Sequence, residues 1–262
     1  MSNEQERERV SQPAGRLGEL YRAGGVSEVY RGVRDFVLLD TGVPVHRLYP
    51  NGTLRAADAA VTIRTNSAEA VWRATGHGEQ RVMDDFVARV REDDTVWDVG
   101  ANIGSYALLA ADAGADVVAF EPGPCARADL VRNAQANDST DRINATPYAL
   151  ADWNGDGMLL PASKSGSREL APDGDRGDTV PVRKGDAVDA PAPDVMKIDV
   201  EGAETRVLDG MTERLADCRA CYLEIHAGVD RDAIESSLSA VGLSVTAAWG
   251  QSREETIVRA ER

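Results

Sequence analysis

The sequence predicts a doubly wound α/β fold, with a mainly parallel sheet covered by helices on both faces, and three observations carry that expectation. Past Glu79 short apolar runs alternate with amphipathic stretches of about 10 residues, which is the pattern of strands joined through right-handed crossover helices. The first of those runs, Thr95-Val-Trp-Asp-Val, meets a glycine at Gly100 and passes at once into a helical segment. The runs also finish in acids, at Asp98, Glu121, Asp199 and Glu224, as they do where the carboxyl ends of strands line a ligand crevice.

In chain order, residues 1 to about 12 are polar and read as a frayed terminus. From Gly15 to Leu39 the apolar residues Leu17, Leu20, Tyr21, Val26, Val29, Tyr30, Val33, Phe36 and Val37 recur at helical spacing, interrupted at Gly24-Gly25, so two short helices are expected. Val43 to Tyr49 and Thr53 to Ile63 read as strands joined at Pro50-Asn51-Gly52, because Asn-Gly supplies the positive φ of a tight hairpin. Residues 1–78 are therefore expected to form a small helix-and-strand appendage, and residues 79–262 the main domain. Within the latter, Arg81 to Val90 is an amphipathic helix, Thr95 to Val99 a strand and Ile103 to Ala113 a helix. Asp116 to Phe120 follows as a strand, then Pro124 to Ala136 as a helix and Ile143 to Leu150 as the third strand. Val195 to Asp199 is the fourth strand, followed by a helix from Ala203, and Ala220 to Ile225 is the fifth, with a helix over Asp230 to Ala240. Leu243 to Trp249 and Thr256 to Arg259 close the chain as a hairpin. Asn154 to Asp194 is rich in Gly, Pro, Ser and Asp. Met158-Leu-Leu and Thr179-Val-Pro-Val pair within it, whereas Ala162 to Asp178 is expected as a flexible loop.

The chain of 262 residues carries 44 acidic against 29 basic side chains, a net charge of −15, and only Lys164, Lys184 and Lys197 are lysines. Its 42% of hydrophobic residues suffice for a core. Such a negative surface repels phosphate backbones and anionic lipids, which argues against a nucleic acid or a membrane surface as partner. It suits a protein kept soluble in concentrated salt. No apolar run approaches the roughly 20 residues of a membrane span and the start is charged, so a cytoplasmic protein is expected. Cys125, Cys218 and Cys221 are too few and odd in number for a disulfide framework. With no second pair and no nearby His, Cys218-x-x-Cys221 reads as two small apolar residues. The oligomeric state, a homo-oligomer included, stays open.

The most informative stretch is Asp98-Val-Gly100-Ala-Asn102-Ile-Gly104. A glycine turn between strand and helix lets a ligand lie against the backbone, and the free amides of the helix start attract an anionic group. The spacing is not the dinucleotide G-x-G-x-x-G, since Asn102 and Ser105 stand at its second and third positions, which disfavours NAD. Asp98 beside the turn can accept from a ligand's ammonium group; its other reading is a buried carboxylate that caps the turn. Glu121, in Phe-Glu-Pro122, lies 21 positions beyond Gly100, where an acid takes both hydroxyls of a ribose. An adenosine with an ammonium and a carboxylate at its far end is S-adenosylmethionine. At the fourth strand Lys197-Ile-Asp199-Val-Glu201-Gly-Ala-Glu204 crowds three acids, which raises at least one pKa and supplies a general base, while Glu201 or Glu204 can cap the next helix. At the fifth strand Glu224 and His226 alternate to one face. Asp199, Glu224 and His226 have no diagnostic metal-ligand spacing, and no metal is assigned.

These four motifs, Asp98 to Gly104, Phe120 to Pro122, Lys197 to Glu204 and Leu223-Glu-Ile-His226, resemble the FkbM family of class I S-adenosylmethionine-dependent methyltransferases. The resemblance implies a Rossmann-like seven-stranded sheet ending in an antiparallel hairpin, and O-methylation of a hydroxyl on a sugar, as part of a glycan or glycolipid, or on a similar small molecule. It implies that Asp98, Gly100, Asn102 and Gly104 line the methionine part of the cofactor, Glu121 the ribose, and Ala149-Leu150 with Asp152 the adenine edge. Glu79 matches an acid often kept ahead of the first strand. The methyl group of a sulfonium is already activated, so the protein must hold the acceptor oxygen in line and remove its proton. Asp199 or His226 is the expected base, with Glu201, Glu204 and Glu224 orienting the acceptor or its partner. Two rivals are an NAD-dependent oxidoreductase and a non-catalytic S-adenosylmethionine-binding protein on the same scaffold. An acidic crevice suits a neutral sugar better than a phosphorylated or sulfated one, unless Arg168, Arg176 or Arg183 reaches over it.

Overall fold

The structure is a computed structural model that describes residues 50–66, 68–74, 79–161, 168–174, 176–250 and 255–262. The two helices expected within residues 15–39 and the strand expected over 43–49 lie outside the described residues.

The chain opens with a hairpin of β1 (Asn51–Ala56) and β2 (Ala59–Arg64), then α1 (Ala68–Ala74) and α2 (Gln80–Val87). Next come β3 (Thr95–Val99), α3 (Ser105–Asp112), β4 (Asp116–Phe120), α4 (Pro124–Ala136) and β5 (Ile143–Thr146). After an insertion follow β10 (Val195–Ile198), α5 (Glu204–Asp209), α6 (Thr212–Asp217), β11 (Ala220–Ile225), α7 (Arg231–Ala240), β12 (Ser244–Gly250) and β13 (Thr256–Glu261). The main sheet has seven strands in the order β12-β13-β11-β10-β3-β4-β5. β11, β10, β3, β4 and β5 are mutually parallel, and β13 runs antiparallel between β11 and β12, the closing hairpin that the sequence predicts.

Alternate side chains of each strand feed two apolar layers, which is why the sheet is covered on both faces. Val96, Val117 and Val195 point toward α2, α3 and α4, packing with Phe86, Leu108 and Leu130. Trp97, Val118, Met196 and Ile198 point the other way, against Leu208, Leu215 and Leu238 of α5, α6 and α7. The β1–β2 hairpin contributes Leu54, Val61 and Ile63 to the first of these layers, so it packs on the same core as the sheet helices.

Three local expectations need correction. The run Thr53 to Ile63, expected as one strand, itself folds into the β1–β2 hairpin, turning at Ala57-Asp58 with Ala57 at φ +48°, and Asn51-Gly52, expected at a turn, lie inside β1. Gly52 answers to packing instead, because a Cβ there would stand 2.7 Å from Cβ of Ala74 on α1. The run Ile143 to Leu150 is not one strand. It breaks at Pro147, whose missing N–H cannot extend a ladder, and Ala149–Leu150 becomes β6 of a second sheet. That sheet, ordered β6-β9-β7-β8, contains β7 (Gly155–Pro161) and β9 (Asp178–Arg183), and pairs Met158 with Thr179. Its edge strand β8 (Arg168–Ala171) lies in the segment expected as a loop; pairing with β7 supplies the ladder that Arg-Glu-Leu-Ala alone does not signal. The thiols of Cys218 and Cys221 are free and buried, and burial pushes both up, that of Cys218 to about 12, as inert core residues require.

Candidate active site

The strand order fixes where a ligand can bind. β3 sits between β4, reached through α3, and β10, which begins a later crossover, so the helices on either side diverge at the carboxyl ends of β3 and β10. A cavity of about 320 Å³ opens at this edge, within the roughly 300–1,000 Å³ of small-molecule sites. Gly100, Asn102, Glu121, Ala149, Leu150, Asp199 and Glu201 line it. A small recess adjoins it, lined by Glu79, Asp98, Ser105, Tyr106 and Lys197, and shares Gly100, Asn102 and Asp199 with it.

The glycine turn is shaped first by the protein itself. A Cβ on Gly100 would lie 1.8 Å from the carbonyl oxygen of Asp199, and φ there is +84°. On Gly104, at φ +92°, it would stand 3.0 Å from Cγ of Leu130. Packing against the backbone of Asp199 and the side chain of Leu130 therefore demands these glycines in its own right, while Gly100 also lines both chambers. Asn102, at φ +50°, presents its N–H to Oε2 of Glu121 at 2.8 Å, while the N–H of Gly123 donates to Oε1 at 2.6 Å. The Glu121 carboxylate is thus held in one orientation at the cavity wall, and each of its oxygens keeps lone-pair capacity for another donor. Burial pushes its pKa up, against the pull of the Gly123 and Asn102 N–H groups and of Arg127 and Arg73.

Asp98 lies in the recess and not in the larger cavity; its Oδ2 accepts the N–H of Ala107 at 2.9 Å. Burial raises it to about 7, countered by Lys197 and by that N–H. The capping bond thus coexists with a place in the wall of the recess. Glu79, at the N-terminus of α2, accepts the Tyr106 hydroxyl at 2.7 Å.

A charged cluster occupies the floor beside Asp199. Register pairs Lys197 with Asp98 on one side and Tyr222 on the other, so its side chain rises into the layer under the site, 1% exposed. Its Nζ lies 3.6 Å from Glu224 Oε2, 3.8 Å from Asp199 Oδ2 and 5.1 Å from the centre of the Tyr106 ring. Burial favours the neutral amine, but Asp199, Glu224, Glu79 and Asp98 outweigh it and raise Lys197. Glu224 is pushed up to about 7 by burial and by Asp199, with Lys197 opposing. Burial and Asp199 also raise Glu201, while His226 opposes. Nδ1 of His226 lies 2.6 Å from Oε1 of the fully buried Glu204, and its Nε2 faces Glu201 Oε2 at 3.3 Å and Asp199 Oδ1 at 3.8 Å. Burial pulls His226 down, yet the Glu204 hydrogen bond with the charges of Asp199 and Glu201 hold it at about 9. Oxygen and nitrogen atoms of Asp199, Glu224 and His226 all lie within 4.8 Å of one another and could hold a cation; the Lys197 ammonium already stands against two of the three.

The FkbM methyltransferase domain matches residues 98–242, more than half of the sequence. The chain belongs to the FkbM methyltransferase family. Hexuronic acid methyltransferase AglP of Haloferax volcanii is 32% identical over 219 residues, 81% of this chain and 88% of its own. Among solved structures, an FkbM methyltransferase from Methylobacillus flagellatus superposes with a TM-score of 0.52 at 16% identity over 73% of this chain. This chain spans only 52% of that one, about half its length. Magnesium protoporphyrin IX methyltransferase from Synechocystis PCC 6803, with bound SAM, gives a TM-score of 0.50 at 14% identity over 88% of this chain and 95% of that chain. These two likenesses are of fold.

In this FkbM protein Gly100, Asn102, Glu121, Asp199 and Glu201 line the cavity, together with Ala149 and Leu150 of the second sheet, and Asp98 and Glu79 line the recess; Gly104, Glu204 and Glu224 line neither, and His226 lines a separate hollow with Ile225 and Thr256. Asp152 does not line the cavity; its Oδ1 lies 3.5 Å from Arg206 Nη1 on α5. Two residues to which the sequence assigned no role complete the surroundings. Lys197 stands in the fourth-strand motif, but its place under the site follows from strand register. Arg73, on α1, lines both chambers, and its segment carries no motif that announces it.

Proposed function

We propose that this protein is an S-adenosylmethionine-dependent O-methyltransferase whose acceptor is an oxygen of a sugar of the hexuronic acid class, within a glycan or glycolipid. The observation that carries the reading is that one cavity is lined by Glu121, an oriented acceptor for two ribose hydroxyls, and by Asp199 and Glu201. Its volume and its polar groups suit an adenosine with an amino-acid tail: Glu121 for the ribose, Ala149 and Leu150 for the adenine edge, and, toward the adjoining recess, Asp98 and the turn from Gly100 to Gly104 for the methionyl end. Glu79 supports that end through Tyr106. S-adenosylmethionine, when bound, supplies an activated methyl group on a sulfonium.

The chain's own residues then have three tasks. Glu121 and the glycine turn fix one reactant, which supports an in-line approach by removing its translational freedom. Asp199, between the ammonium of Lys197 and the imidazole of His226, takes the proton of the acceptor hydroxyl. With His226 held at about 9, its ring is protonated at neutral pH and lacks the free lone pair that a base needs, which moves the base role to Asp199. Glu204 orients His226, and Glu201 and Glu224 hold the charge balance around it. The sugar class rests on the AglP relative, whose name is a hexuronic acid methyltransferase. Buried free thiols at Cys218 and Cys221 suit a reducing, cytoplasmic setting, and among the described residues no helix is long and apolar enough to cross a membrane.

The test is transfer of label from methyl-labelled S-adenosylmethionine to glycan extracts and to defined hexuronic acid saccharides, with neutral hexose saccharides beside them. Labelled ether on a hydroxyl of the hexuronic acid supports the reading; a labelled methyl ester keeps O-direction but overturns the base role of Asp199, because a carboxylate has no proton to give up. Cofactor binding without label on any saccharide supports the non-catalytic alternative, and label on nitrogen or carbon overturns O-direction.

A further inference from the structure

We propose that Arg73, with the hydroxyl of Ser105, forms a carboxylate-binding subsite in this pocket, delivered from outside the stretch matched to the FkbM domain. The inference rests on the cofactor and acceptor reading above. Arg73 sits in the last turn of α1 and lines both the cavity and the recess. Its charge opposes the burial that raises Glu121 at the end of β4 and Glu201 beyond β10, two residues that line the cavity with it. The helix presents it from a fixed place. Ala70 and Ala74 are buried in the main apolar layer, and Gly52 of β1 packs so closely on Ala74 that no Cβ fits between them.

The recess itself poses the chemical problem that Arg73 answers. Glu79, Asp98 and Asp199 line this space of about 20 Å³, so the end of an amino-acid tail that reaches it from the larger cavity meets ready partners for its ammonium but repulsion for its carboxylate. Lys197 lines the recess alone, whereas Arg73 lines both chambers, and a guanidinium fork suits a carboxylate in two parallel hydrogen bonds. An independent sign of a ligand stands beside it. Ser105 Oγ, on a residue 6% exposed that lines the recess at the first position of α3, has no hydrogen-bond partner. A buried hydroxyl left unmatched is costly, and a ligand carboxylate oxygen would accept from it.

A carboxylate can arrive here on the methionyl tail of the cofactor or on a hexuronic acid acceptor, and the experiment separates the two. Binding of S-adenosylhomocysteine and of 5′-methylthioadenosine, which lacks the amino-acid tail, is measured by calorimetry for wild type, Arg73→Gln and Ser105→Ala. KM is measured for a hexuronic acid and a neutral hexose acceptor. If the carboxylate is the cofactor's, Arg73→Gln weakens S-adenosylhomocysteine about tenfold to a hundredfold, Ser105→Ala weakens it less, and methylthioadenosine is unchanged. If it is the acceptor's, cofactor affinity holds and KM rises by a similar factor for the hexuronic acid alone. Equal losses for both nucleosides, or an Arg73→Gln protein that matches wild type in every arm, overturn the inference while leaving the cofactor reading intact. Wild type that binds neither nucleoside overturns the cofactor reading and the inference with it.

Discussion

Glu204 and His226 form a buried hydrogen-bonded pair, 2.6 Å from Oε1 to Nδ1, that turns the other ring nitrogen toward Asp199 and Glu201. Glu204 also accepts the N–H of Gly202 through the same oxygen, so the pair is tied to the loop that leaves β10. A His raised to about 9 contributes stability that is complete below about pH 6.5, its ordinary value, and is lost as pH rises through about 9. Glu204→Gln removes the hydrogen-bonded charge, so the His226 pKa falls and that stability window closes at a lower pH. NMR titration of the His226 ring reads this directly, and an unmoved pKa in the variant would contradict the pairing.

The assignment of Asp199 as base makes a separate prediction. Asp199→Asn should lower kcat by about 10²- to 10⁴-fold while affinity for S-adenosylhomocysteine changes little. His226→Asn should lose less, because it removes a neighbour of the base and not the proton acceptor. The two variants also differ in their pH profiles. Wild-type kcat/KM should show no rise tied to deprotonation of His226 near pH 9; a rise there that vanishes in His226→Asn would return the base role to the histidine.

Residue type and position along a strand made much of this site legible. Asp98, Glu121, Asp199 and Glu224 could be placed because each closes an apolar run, and strand ends in a parallel sheet share one edge. What stayed hidden depends on tertiary register. That Lys197 supports the site follows from its pairing with Asp98 and Tyr222, which no local pattern encodes. Arg73 reaches the cavity because a hairpin turning at Ala57-Asp58, without glycine or asparagine to mark it, carries α1 onto the core. Asp152 misses the cavity because the chain after β6 runs toward Arg206.

Gly100 should tolerate no side chain. A Cβ at 1.8 Å from the Asp199 carbonyl cannot be relieved by rotating a side chain, and φ of +84° adds strain for any L-residue. Gly100→Ala is expected to cost more than the roughly 1–3 kcal/mol of ordinary overpacking, because it pushes β3 from β10 where they hold the base. Gly104→Ala, which meets only Leu130 Cγ at 3.0 Å, should be milder though strained at φ +92°. Chemical denaturation of the two variants ranks them, and equal costs would mean that the β3–β10 contact is not what fixes the turn.

Glu224 should penalise folding at neutral pH and above. Its carboxyl is raised from 4.5 to about 7 by burial and by Asp199, so its stabilising contribution is fullest below about pH 4.5 and falls as pH rises through about 7. Gln is neutral throughout. The thermal midpoint of Glu224→Gln relative to wild type should therefore climb between pH 5 and pH 8, while Lys197 keeps Asp199, Glu79 and Asp98 around it. A difference that is flat with pH would show that Glu224 ionises in the native protein as it does in the unfolded chain.

The net charge of −15 makes the last prediction, one about salt. The site accounts for only a few of the 44 acids, so most of the excess repels itself over the surface. Raising KCl from about 0.1 M to about 2 M shortens the Debye length from about 10 Å to below about 3 Å, which screens exposed pairs and leaves the buried Glu204–His226 pair largely untouched. The thermal midpoint should therefore rise with KCl, while the His226 pKa moves little. Burial strengthened by salt also raises midpoints, so a charge control is needed. Neutralising the exposed Asp58, Glu92 and Glu213 to Asn, Gln and Gln should raise the midpoint at low salt and flatten its dependence on KCl. If the triple variant keeps the full wild-type slope, surface repulsion is not the source of the salt dependence; if the wild-type midpoint is flat or falls, the acidic surface serves some other end than life in salt.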